Sequence, residues 1–157
     1  MKKILFTVAM FATAFVEYGF AQDSTTTQTS SLLTSYFTLK DALVSSNVDV
    51  AAASAAAFTK EVNGANKETL KDEHRNVLLS DAIAISQSKD LKVQREKFTS
   101  LSANMLAFAK TVKLSSEPFY LQYCPMKNAS WLSNNKIIKN PYYGSAMLNC
   151  GSVKETL

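Results

Sequence analysis

The chain has 157 residues, with 17 Lys and Arg against 13 Asp and Glu and a formal net charge of +4. That excess is small and its basic residues are scattered among acids, which argues against a nucleic-acid-binding stripe. With only four glycines and three prolines, and no proline before Pro118, the composition favours long helices over a strand-rich fold.

The first residues read as a secretory signal. Met1-Lys2-Lys3 is a short positive segment, Ile4 to Val16 is apolar but short for a bilayer span, and Gly19-Phe20-Ala21 supplies the small residues of a cleavage site. The expected cut falls before Gln22, so residues 1–21 are a signal peptide and the mature protein is periplasmic or secreted. No other apolar run is long enough to cross a membrane. About 136 residues remain, enough for one domain with its own core. Losing Lys2, Lys3 and Glu17 leaves a net charge of +3.

Residues 22–31 are rich in Ser, Thr and Gln and read as a solvated, disordered linker. The domain proper spans residues 32–157, with a tail at 118–157. A first helix is expected after Ser30 or Ser31, carrying Leu32, Tyr36, Leu39 and Leu43 on one face. A second follows Asn47 as N-cap, with six alanines among residues 51–57 and Gly64 as its C-terminal stop. A third runs from about Lys67 to Ser86 with Leu70, His74, Val77, Leu78, Ala82 and Ile85 inward. The fourth takes Ser88 as cap and buries Leu91, Phe98, Leu101, Met105, Phe108 and Val112. Short breaks between these helices predict an all-α fold, an antiparallel up-down four-helix bundle. After Pro118 the periodicity stops. Phe119 to Tyr123 suits a short strand, short helical pieces are expected near Asn134–Lys139 and Tyr143–Leu148, and the tail otherwise reads as irregular, packed on the bundle through its aromatics.

The chemistry concentrates between Tyr123 and Gly151. Both cysteines (Cys124 and Cys150) and the single tryptophan, Trp131, lie there. Met126 stands two residues after Cys124, and Met147 three before Cys150. Residues two apart on an extended segment point the same way, and residues three apart on a helical turn share a face. Each Cys-Met pair can therefore present thiolate and thioether together, the donor set of Cu(I), Ag(I) and similar soft ions. In an exported protein the same two cysteines can instead form one disulfide, Cys124–Cys150. His74, the only histidine, reads as a boundary residue and becomes an extra ligand only if the tail folds over the third helix. No Ser-His-Asp spacing, glycine-rich phosphate loop or CxxC pair occurs, so no enzymatic reaction is expected. Asn140-Pro141-Tyr142-Tyr143-Gly144 reads as a turn that positions Met147 and Cys150.

Tyr123-Cys124-Pro125-Met126, Trp131-Leu132-Ser133, Asn140-Pro141-Tyr142-Tyr143-Gly144, Met147-Leu148 and Cys150-Gly151 together resemble an uncharacterised bacterial domain family. Ser88-Lys89-Asp90-Leu91, Gln94-Arg95-Glu96-Lys97-Phe98, Leu101-Ser102 and Met105 extend the resemblance into the helices. That family occurs as small exported proteins and as a C-terminal extension of periplasmic adaptor subunits of copper/silver heavy-metal efflux pumps. The resemblance implies a helical bundle with a Cys/Met tail, a link to heavy-metal handling, and efflux components as partners.

Overall fold

The structure is a computed structural model that describes residues 24–157; the expected signal peptide at residues 1–21 lies outside them. Four helices come first: α1 (Ser24–Val44), α2 (Val48–Gly64), α3 (Asp72–Gln87) and α4 (Leu91–Ala109). Each packs on the next, and α1 also touches α4. Their shared core contains Tyr36, Leu39, Phe58, Leu78, Phe98, Leu101 and Phe108, all essentially inaccessible to solvent. None of the described helices is long and apolar enough to cross a membrane.

Several expected details hold and others shift. Asn47 caps α2, its side-chain oxygen accepting the Val50 N–H at 3.0 Å. Asp90, rather than Ser88, caps α4: its carboxylate accepts the Lys92 N–H at 2.7 Å, while the Ser88 hydroxyl oxygen accepts the N–H of Asp90 at 3.1 Å. α1 starts at Ser24, so the second part of the stretch expected as a linker at 22–31 is helical. Two contacts beyond the helix account for this. Thr29 is buried and its hydroxyl donates to the Lys113 carbonyl, and Gln28 accepts the N–H of Asn66. α3 starts at Asp72, not near Lys67, because the Asn66 side chain accepts the Glu68 N–H and folds the preceding residues into a turn. Leu70 stays fully buried in that turn, whereas Val77, expected inward, is 41% exposed.

Gly64 ends α2 without entering the left-handed region. The stop is supplied from α3 instead. The buried Arg75 guanidinium donates to the carbonyls of Val62 and Ala65, which satisfies the end of α2 and its negative dipole, and to the Leu70 carbonyl in the turn that follows.

The tail corrects the all-α expectation. It forms a small antiparallel sheet of order β2-β1-β3, from β1 (Tyr120–Cys124), β2 (Ala129–Ser133) and β3 (Ser152–Thr156). A tight turn with Asn128 at positive φ joins β1 to β2, and Asn128 N–H donates to the Pro125 carbonyl at 3.2 Å. The helical piece expected at Asn134–Lys139 does not form, and that at Tyr143–Leu148 shrinks to a 3-10 turn, Gly144–Met147.

β2 packs on α4. The Tyr36 hydroxyl of α1 bonds the Ser102 hydroxyl of α4 at 2.7 Å and accepts the Leu132 N–H of β2 at 3.2 Å. Ring contacts run from Tyr36 to Phe98, from Phe98 to Tyr142, and from Tyr142 to the buried Trp131, with centroids 5.3, 6.0 and 5.8 Å apart. This aromatic path seats the tail on the bundle.

Candidate functional site

β1 ends on Cys124, and Cys150 stands just before β3. Because β1 and β3 are antiparallel with Tyr123 opposite Ser152, both cysteines fall at the same end of the pairing. Their sulfurs are 3.1 Å apart as free thiols. That distance exceeds a disulfide bond of about 2.05 Å. It is shorter than two metal–sulfur bonds of about 2.3 Å each laid end to end, so both sulfurs can reach a single ion.

The two thiols have different surroundings. Cys124 is fully buried and Cys150 half-buried. Burial pushes the Cys124 thiol up, but the hydrogen bond from Cys150, the backbone N–H groups of Lys127 and Met126 and the Asn140 side chain outweigh it, so its pKa is lowered. Cys150 is raised, chiefly because it supplies the proton in the bond to Cys124, then by burial and the neighbouring charge. Such a pair loses its protons in two separated steps.

The turn after Cys124 explains the amide donors. Pro125 has no N–H and the chain reverses at Asn128, so the next two N–H groups, of Met126 and Lys127, are turned back toward Cys124. This cradle suits a thiolate.

Asn140 holds the Cys150 side of the site, a role its sequence neighbourhood marks only as a turn. It is fully buried and bonded on every side. Its Nδ2 donates to the Cys150 carbonyl at 2.7 Å and its Oδ1 accepts the Tyr142 N–H at 2.8 Å. Its backbone N–H donates to Leu148 and its carbonyl accepts from Gly144, at 2.8 and 3.0 Å.

Arg95 of α4 is a second such residue, marked in the sequence only by the resemblance and not as part of the site. Its Nε donates to the Pro141 carbonyl at 2.9 Å, and its Nη2 to the Leu43 carbonyl and the Ser46 hydroxyl at 3.0 and 2.9 Å. Gly144, at φ +57°, lies so close that an added Cβ would come 2.5 Å from that Nη2. Gly151 faces Trp131 similarly: an added Cβ would sit 2.9 Å from the indole. Trp131 and Tyr142 are both buried, with their rings 5.8 Å apart.

The remaining sequence candidates divide. Met147 is half-buried in the 3-10 turn three residues before Cys150, whose N–H donates to the Met147 carbonyl at 3.0 Å. The Met126 side chain is 66% exposed, so it sits at the rim rather than against the sulfurs. His74 is held elsewhere: its ring packs on Phe108 at 5.6 Å, and the cavity it lines draws on Glu68, Lys71, Glu73 and Thr111 with no tail residue. The condition that would make it a ligand, the tail folding over α3, is therefore not met at His74. Among the described residues no three His, Cys, Asp or Glu come together; further donors beside the two thiols would be thioethers.

The molecule is thus a four-helix bundle bearing a small sheet that pairs two thiols. A family model described as "Protein of unknown function (DUF3347)" matches residues 32–117, more than half of the chain, and the chain belongs to that family. No curated protein and no solved structure matches it.

Proposed function

We propose that this protein is an exported, non-enzymatic accessory module that binds one soft monovalent cation of the Cu(I) or Ag(I) type in periplasmic or secreted heavy-metal handling, with efflux components as partners. The observation that carries the reading is the pair Cys124 and Cys150, 3.1 Å apart, with backbone amides turned onto the inner sulfur. Thiolate sulfur is the donor soft ions select. Cys124 and Cys150 would hold the ion, with Met147 beside them and the exposed Met126 free to close over from the rim. Buried Trp131 and Tyr142 keep the inner side dry, which favours the reduced metal. The short helix connections support an up-down order of the bundle, and the Cys-Pro-Met and Asn-Pro-Tyr-Tyr-Gly segments support the tie to adaptor extensions.

Titration of the reduced protein with Cu(I) against a competing chelator tests this. The expected result is one tightly held ion per chain, lost in the C124S/C150S variant and weakened in M147A. Equal stoichiometry and affinity in the double variant would remove the reading.

A second reading is favoured by the same proximity: a disulfide-stapled helical interaction module. Closing a loop between residues 26 apart stabilises by roughly 3–4 kcal/mol. Intact mass before and after reduction separates the two. A protein recovered fully oxidised, and refusing metal after reduction, supports the staple.

A further inference from the structure

Beside the thiol pair, and sharing the turn after Cys124, lies an open cavity of about 420 Å³. It is lined by Leu91, Lys92 and Arg95 of α4 and by Lys127, Tyr142 and Tyr143 of the tail. Three of these six residues are cationic and none is acidic.

The charges are not neutralised within the protein. None of the three forms an ion pair among the described residues. The Arg95 charge meets only two carbonyls and one hydroxyl, through Nε and Nη2, which leaves Nη1 without a protein partner. The nearest carboxylates in sequence do not line the cavity; Asp90 is occupied as the cap of α4. Gathering three like charges costs free energy, and here no carboxylate offsets it. Arg95 is also held rigid by its bonds to the α1 terminus and the Pro141 loop, so its free nitrogen is presented without further ordering.

We propose that this cavity is a binding site for a compact polyanion, a phosphate or small polycarboxylate, held by Lys92, Arg95 and Lys127. The volume suits a small molecule. Arg95 gives a fixed directional donor and the two lysines adaptable point charges. Tyr142 and Tyr143 supply the wall, with Tyr143 anchored by its hydroxyl to the Met126 carbonyl at 3.4 Å.

The site uses neither sulfur, so its test is independent of metal binding and can be run on both the reduced protein and the C124S/C150S variant. Inorganic phosphate and citrate are titrated separately at constant ionic strength, with chloride as control, and binding is followed by amide and side-chain NMR shifts. Saturable one-to-one binding is expected for at least one of the two anions, with shifts centred on Lys92, Arg95, Lys127 and Tyr143. K92A/K127A, two surface changes that keep the Lys127 amide, should weaken it at least tenfold with an unchanged circular dichroism spectrum. R95K should weaken it as well. Non-saturating shifts for both anions, or unchanged affinity in K92A/K127A, would overturn the proposal.

Discussion

The helices and the loop that carries Cys150 are held in place by different physics. The helical part, which is also the part the family model covers, rests on a continuous apolar core around Phe58, Phe98 and Phe108. The tail has only short strands, and β3 is exposed along its whole length. Its loop from Ser133 to Gly151 is fixed largely by polar bonds of a few residues, Asn140 and Arg95 above all. A close-packed core loses stability with each apolar group removed from it, whereas a loop held by a few directed bonds keeps two sulfurs in register only while each bond is made.

Changes made in each part should therefore read out differently. The largest effect is expected from Phe98→Ala. Phe98 is fully buried and touches both Tyr36 and Tyr142, so its loss should lower stability by about 3–5 kcal/mol. Denaturant unfolding should show bundle and tail lost in one transition, whereas a tail that stays folded would break the link between the parts. Next is Arg75→Met, which strands the Val62 and Ala65 carbonyls at the end of α2 and the Leu70 carbonyl in the turn before α3 and should cost about 2–3 kcal/mol. The thiol separation should not respond to it.

Gly144→Ala belongs to the other region. The left-handed φ and the close approach to Arg95 and to the Val44 carbonyl should make it cost about 1–3 kcal/mol. Helical circular dichroism should stay constant while Cys150 becomes more reactive to alkylation. If both are unchanged, Arg95 does not control the loop.

The smallest effect is a titration. Cys124 has a folded-state pKa below its ordinary value of 9.0. Its thiolate therefore adds stability that is fully present above that ordinary value and is lost as pH falls through the folded one. Cys150 has the opposite sign, contributing stability below the ordinary value that is lost as pH rises through its raised one. In C150A the donor to Cys124 is gone, so thiolate absorbance should appear at higher pH than the first step of the native pair. An unmoved first step would show that the amides alone set it.

The helical part was largely legible because apolar residues at 3.6 spacing report burial directly. Its errors sit where polar side chains overrule the pattern: Asp90 taking the cap from Ser88, Arg75 ending α2 in place of a left-handed Gly64, and Asn66 delaying α3. The sheet was legible only at β1. Ala-Ser-Trp-Leu-Ser does not alternate, because β2 is buried on most positions against α4, and the exposed Ser-Val-Lys-Glu-Thr of β3 has no apolar face to reveal it. The convergence of Cys124 and Cys150 was foreseen from their chemistry. What holds them, an asparagine side chain and two backbone amides, leaves no periodic trace.

The claim that most depends on this geometry is that the two sulfurs act as one ligand pair, and counting free thiols tests it most directly. Reduced protein should titrate with two reactive thiols per chain after denaturation, and one equivalent of Ag(I) added to the folded protein beforehand should protect both together. Protection of only one thiol, or of neither, would contradict it.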